Sequence, residues 1–234
     1  MTRAELETAV YAYLHRASFR TPVPDFDAVK TWVQLGEADI NLDLRARCMI
    51  RRTAQVVDGP YIPLPCDYIE AEDLRLSTGR ELVYRDRQQI GDLLQVQNGA
   101  PTITGVPGDA AVVLPFLPSG PVYYSVVGDL LELWPYEAPP VNPPPNWVPY
   151  TIEMAYFAEQ SLGPDPADTT PVLSKLPGAY LWASLKYSAP FLRDDGRVDT
   201  WAAAYSGIVA KSNLAKERAA SAGSRIVQRF KRVG

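Results

Sequence analysis

The chain has 234 residues, 47% of them hydrophobic, and a formal net charge of −4, which is the composition of a globular chain with a core of its own and argues against a disordered one. No run approaches the roughly 18 apolar residues of a membrane span, and the N-terminal MTRAELETAV has no apolar stretch of signal-peptide type. Cys48 and Cys66 make neither a disulfide framework nor a metal-ligand spacing, so the expectation is a soluble protein made in the cytoplasm, with two buried free thiols.

In chain order, Thr2-Arg3-Ala4-Glu5 reads as a capping box that starts a first helix with Leu6, Val10, Tyr13, Leu14 and Ala17 on its apolar face. Thr21-Pro22-Val23-Pro24 stops it. Asp25 is placed to cap a second helix, whose stripe is Phe26, Val29, Val33, Ile40 and Leu44 and which continues to about Arg47.

From Met49 the period shortens. Ile50–Val57 and Tyr61–Leu64 flank Asp58-Gly59, a hairpin signal, while Pro60, Pro63 and Pro65 confine the second arm to an edge. Ser77-Thr78-Gly79 predicts another hairpin, joining Ile69–Leu76 to Glu81–Tyr84, and a short helix follows over Asp86–Gln97. Twenty-two prolines is about twice the usual share, and they cluster between Pro101 and Pro149. Within that stretch Ala110–Leu117 reads equally as a strand or a packed loop.

Val122–Trp134 carries the clearest strand signal. Glycine in the first central position of a Gly128-Asp129 turn predicts a two-residue hairpin in which Ser125 faces Glu132. That register puts Tyr124, Val126, Leu131 and Leu133 on the core face. The run Ala138–Pro149, APPVNPPPNWVP, is stiff and extended, and Tyr150, Ile152, Met154 and Tyr156 then alternate as a further strand. The proline run is either a long connection or a projecting loop that touches a neighbour through Pro143, Pro144, Pro145 and Trp147.

Leu176–Ala219 reads as a helical hairpin. Pro177 opens its first helix, with Leu181, Leu185, Ser188 and Leu192 on one face and an end near Arg193. Asp194, Asp195 and Gly196 make the corner, and the second helix presents Val198, Trp201, Tyr205, Ile208 and Val209. Beyond Ala210 large apolar residues thin out, so this helix is expected to outgrow its core. From Lys211 onward seven basic residues face Glu217 alone, a net of +6 that leaves −10 on the rest of the chain. Ala220–Ser224 reads as a flexible joint before a partly apolar basic tail. In that tail Arg225, Ile226, Val227, Arg229, Phe230, Lys231 and Arg232 are the candidate docking residues.

The expected fold class is therefore α+β. Residues 1–48 and 171–219 form a helical bundle, 49–170 a β-rich insertion bearing the proline-rich loop 139–149, and 220–234 an extended C-terminal docking tail.

Catalytic signatures are missing. His15 is the one histidine and sits within the first helix, which leaves no material for a His-based triad or zinc site. No phosphate-binding glycine loop or nucleophile elbow occurs. Asp194/Asp195 explain themselves as a helix start, and Glu70/Glu72/Asp73 read as a solvated face. No catalytic residue, metal or cofactor is assigned.

The paired N-terminal helices ending in LDLRARCMIRRT, the segment LPCDYIEAEDLRL, VGDLLELWP followed by YTIEMAYFAE, and LSKLPGAYLWASLKYSAPFLRDDGRVDTWAAAY occur in that order over nearly the whole chain. Together they resemble the head-to-tail adaptor, or connector, proteins of tailed bacteriophages, which form the ring beneath the portal. The resemblance implies a structural protein of the virion neck, made in the host cytoplasm and assembled as a ring of about a dozen copies. Its implied partners are the portal protein, against which the C-terminal segment inserts, and a tail or nozzle component. DNA would pass through the channel without specific binding, and no membrane is involved. The competing readings are a virion-associated cell-wall hydrolase acting through a carboxylate such as Glu70 or Asp194, a nucleic-acid-binding module using the basic tail, and another neck protein such as a stopper.

Overall fold

The computed structural model describes residues 1–14, 28–89, 121–134, 150–188 and 196–229, with 220–229 as backbone. Helix α1 (Arg3–Leu14) starts as the capping box predicts: Thr2 N donates to Glu5 Oε2 at 2.9 Å, and Glu5 N donates to Thr2 Oγ1 at 3.4 Å. Leu6, Val10 and Leu14 are buried. Tyr13 is not; it stands at the rim with its ring edge-on to Trp182, centroids 5.3 Å apart. His15, Ala17, the 21–24 stop, Asp25 and Phe26 lie outside the described residues.

Helix α2 (Ala28–Asp43) buries Val29, Trp32, Val33, Gly36 and Ile40 and ends at Asp43, short of the expected Arg47, where a separate 3-10 turn, Arg47–Met49, begins. Two short elements bring the chain back. Helix α3 (Pro171–Lys175) is capped by Thr170, whose Oγ1 accepts from Leu173 N at 3.0 Å, and α4 (Pro177–Lys186) follows with proline in its first turn.

Helix α4 packs against α1, α2, α3 and α5 (Arg197–Arg229). It buries Ala179, Tyr180, Ala183, Ser184 and Leu185, whereas Leu181 stays half-exposed. The contact is made by small residues. A Cβ on Gly36 would sit 2.9 Å from Ser184 N, so only glycine lets the α2 and α4 backbones come this close. The predicted end near Arg193 is corrected to Lys186, where Ser188 N turns back to Leu185 O at 3.1 Å; Leu192, Asp194 and Asp195 lie outside the described residues.

The chain divides into two units by its internal contacts, Met1–Ile50 with Phe157–Gly234, and Arg51–Tyr156. The second unit is built on two sheets. In one, β7 (Thr151–Ala158) lies between β1 (Ile50–Val56) and β3 (Tyr68–Leu76). In the other the order is β2 (Tyr61–Pro63), β6 (Leu130–Trp134), β5 (Tyr123–Val127) and β4 (Val83–Tyr84).

The hairpin expected at Asp58-Gly59 is thus a crossover: β1 pairs with β7, β2 with β6. Gly59 is absent from the positive-φ glycines, so this turn lacks the left-handed backbone of a tight two-residue hairpin. The edge placement of β2 with its prolines follows the sequence.

At Ser77–Gly79 a tight turn does form, with Gly79 at φ 86° and Leu82 N donating to Leu74 O at 2.9 Å. The returning arm then leaves β3, and β4 pairs in parallel with β5. Arg87–Gln89 are helical, while the rest of the Asp86–Gln97 helix and Ala110–Leu117 lie outside the described residues.

The Gly128 hairpin has the predicted register, Val127 to Leu130 and Ser125 to Glu132, with Gly128 at φ 61°. Leu131 and Leu133 are buried, and Ser125, on the opposite face, is buried too. On β7, Ile152, Met154 and Tyr156 alternate inward as expected.

Candidate functional site

Helix α5 is about 50 Å long at 1.5 Å per residue, and its two halves differ. In the first half Trp201 and Tyr205 are buried, and Gly178 of α4 leaves the room that Ile208 fills. Val198, Ile208 and Val209 are half-buried, which follows the predicted stripe in weaker form.

A polar cluster then fixes the direction of the helix. Tyr205 Oη donates to Asp43 Oδ2 at 3.2 Å. Lys186 at the end of α4 pairs with Asp39 of α2, and its ammonium lies 4.6 Å from the Tyr205 ring centroid and 5.2 Å from that of Tyr187. Burial, then the neighbouring Asp43 and Asp39 charges, push the Tyr205 hydroxyl far up. Burial and a hydrogen bond to Asp39 push Tyr187 up to about 12. Both phenols are neutral donors at physiological pH.

Two turns further on, Asn213 reaches back to the end of α2. Its Oδ1 accepts from Arg45 N at 2.8 Å and its Nδ2 donates to Asp43 O at 3.1 Å, so one side chain serves two backbone groups at a helix terminus. Lys216 lies 4.3 Å from the Phe157 ring centroid, with Arg45 5.8 Å from the same ring.

Past Asn213 no described side chain is buried; Leu214 is 45% exposed, and Ala215, Glu217, Arg218 and Ala219 are exposed. The helix nevertheless continues for 16 residues to Arg229, about 24 Å. Its backbone passes straight through Ala220–Ser224, where a flexible joint was expected; one glycine among alanines and serines does not stop a helix already nucleated.

Of the candidate docking residues, Arg225, Ile226, Val227 and Arg229 occupy the last turns of α5, while Phe230, Lys231 and Arg232 lie outside the described residues. Pro143, Pro144, Pro145 and Trp147 also lie outside them. Periodicity missed Asn213, Lys186 and Lys216, because a polar residue that caps another helix, pairs with a carboxylate or lies over a ring leaves no apolar signal.

The carboxylates Glu70 and Glu72 stand exposed on β3, and among the described residues no cluster of His, Cys, Asp and Glu is arranged to hold a metal ion. No described helix is long and apolar enough to cross a membrane. Both cysteines are free. The burial expected of them is corrected for Cys66, which is exposed, whereas Cys48 is half-buried and its thiol is pushed up by that burial.

This is a mixed α+β chain whose longest helix loses burial halfway and is basic in its far half. It belongs to the SU10 adaptor protein family, whose profile matches residues 1–229. No protein of curated function matches the chain. The family makes it a bacteriophage adaptor, a structural component of the virion.

Proposed function

We propose that the protein is a head-to-tail adaptor that joins the portal to the tail as a ring of about a dozen copies around the DNA channel. The observation that carries this reading is a family match over residues 1–229. In this reading residues 1–48 and 171–219 are the helical core, 49–170 the β-rich insertion that meets neighbouring subunits or the next tail component, and 220–234 the docking tail.

The loss of burial beyond Asn213 supports a docking role for the end of α5. There Arg225, Ile226, Val227, Arg229, Phe230, Lys231 and Arg232 meet the portal through a small apolar face ringed by positive charge. Amphipathic helical segments of this composition lay their apolar residues into a groove while the charges fix register. The acidic remainder of the chain suits a channel wall, since like sign avoids gripping phosphates.

Deleting Ala220–Gly234 tests the assignment. The truncated chain keeps the circular dichroism and melting behaviour expected once the lost helical residues are discounted, and fails to co-sediment with portal. A truncated chain that assembles on portal at the full-length level would sink the docking role. Electron microscopy of the full-length complex reads ring symmetry and stacking order directly.

A further inference from the structure

The unit formed by Met1–Ile50 and Phe157–Gly234 leaves three leucines in solvent on helix faces turned from the core. On α2, Leu42 is 73% and Leu35 43% exposed, seven residues apart, with Ala38 exposed between them. On α5, exposed Leu214 shares with Ala203, Gly207 and Ala210 a stripe spaced by four, three and four residues, opposite the buried Trp201 and Tyr205. The α2 face carries no charge: from Thr31 to Leu42 its exposed positions are Gln34, Leu35, Ala38 and Leu42. Such depletion of charge marks the centre of an interface rather than a solvated helix.

Gly207 points the same way. Glycine weakens a helix interior relative to alanine, and what it offers in return is the close approach of another backbone or side chain. Gly36 and Gly178 have such neighbours within the chain, Ser184 and Ile208. Among the described residues, a Cβ on Gly207 would meet nothing within 4 Å. No described part of the subunit uses the approach that Gly207 allows.

The two faces fit each other in one register. Laid antiparallel, Leu42 faces Ala203, Leu35 faces Ala210, Leu214 faces Thr31, and Ala38 meets Gly207 at the point of closest approach. Every leucine then falls on a smaller residue, the alternation that lets two helices interdigitate. Lys30, just before Thr31, comes alongside Glu217, just beyond Leu214. Laid parallel, the same stripes set Leu42 against Leu214 and carry Lys30 away from Glu217. One chain cannot make this contact with itself, because α2 already meets the opposite side of its own α5 through Tyr205 and Asn213.

We propose that the outer face of α2 in one copy packs antiparallel against the outer face of α5 in the next. The inference rests on the reading of the protein as a ring. The two patches differ, so each copy offers one and receives the other, the head-to-tail contact from which rings are built. Three turns of helix cover about 17 Å by 10 Å, well short of the roughly 800 Å² per partner of a stable pair. The contact therefore joins copies already held side by side, and it leaves the last turns of α5 to the portal.

Two full-length chains, each with Cys48→Ser and Cys66→Ser, test the register. One carries Leu42→Cys; the other, tagged to shift its mass, carries Ala203→Cys. Assembled together on portal and mildly oxidised, they are expected to give a mixed dimer, and neither alone a dimer. Each chain holds one thiol, so no crosslink within a chain imitates the result. A dimer of the Leu42→Cys chain alone overturns the inference, since α2 then faces α2. In the otherwise native chain, Gly207→Leu puts a side chain into open space, so the melting midpoint is expected to hold while the fraction of portals carrying a ring falls about tenfold. Rings at the wild-type level with Gly207→Leu, or rings without the mixed dimer, overturn the inference and leave the adaptor reading standing. If the wild-type chain forms no ring, the adaptor reading fails and takes this inference with it.

Discussion

Asn213 does from a distance what a C-cap does locally. The end of α2 leaves carbonyl and amide groups without intrahelical partners, and the side chain from α5 supplies one acceptor and one donor to them. Replacing it by alanine removes two hydrogen bonds, one part-buried and one exposed, while Arg45 N and Asp43 O stay where they are. The expected cost is about 1–2 kcal/mol, read as a lower denaturation midpoint with faster amide exchange over Ile40–Arg45. An unchanged exchange pattern there would mean that water serves the same groups equally well.

Glu37 is the other residue whose surroundings make a measurable demand. Its Oε1 accepts from Leu162 N at 2.7 Å and from Tyr180 Oη at 2.8 Å, yet burial outweighs both and raises its pKa above the usual carboxylate value. A raised acid binds its proton more tightly folded than unfolded. Its contribution to stability is full below the unfolded pKa near 4.5 and is lost as pH climbs through the folded value. Glu37→Gln keeps one acceptor oxygen and removes the titration. Melting temperatures taken from pH 4 to pH 7 should therefore show wild type losing ground to the variant as pH rises. A constant difference across that range would assign the raised pKa no part in folding.

At the scale of elements, what was legible in the sequence is what local chemistry decides. The Thr2/Glu5 box, the Gly128 and Gly79 turns and the alternation along β7 depend on residues within a few positions of one another, and all formed. What failed depended on partners far along the chain. Asp58-Gly59 carries a hairpin signal, but β7, some 90 residues later, competes for β1 and wins, leaving β2 to β6. Of the face expected on α4, Leu185 and Ser188 are buried and Leu181 is half-exposed, but the close approach of α2 is made by Gly36, Ala183 and Ser184, small residues that periodicity did not single out.

Helix α5 mixes both cases. Its loss of burial was legible, while the anchor made by Lys186, Tyr205 and Asn213 and the unbroken backbone through Ala220–Ser224 were not. Continuity matters if the end of the helix docks, because a rod presents its last turns at a fixed angle and a tether does not. Ala222→Pro separates the two. It costs about 3 kcal/mol of local helix and leaves the core, which ends near Asn213, untouched. Portal binding is expected to fall with no change in melting of the core. Undiminished binding would mean that the tail works as a tether.

At the scale of the whole molecule, the proposed assembly turns on repetition. One tail of +6 and a few apolar residues makes a modest contact, and its electrostatic part weakens as salt screens it. In the proposed ring that contact would be presented about a dozen times, and once one subunit docked the others would bind at high effective concentration. Contacts that act together should tolerate some losses and then fail together. Mixing full-length chain with chain lacking Ala220–Gly234, at ratios from mostly intact to mostly truncated, measures this through the fraction of portal carrying a ring. Occupancy is expected to hold while intact subunits are the majority and to collapse over a narrow range beyond it. A decline in simple proportion to the truncated fraction would show that subunits reach the portal one at a time. In that case the contacts between subunits of the proposed ring would form only after docking.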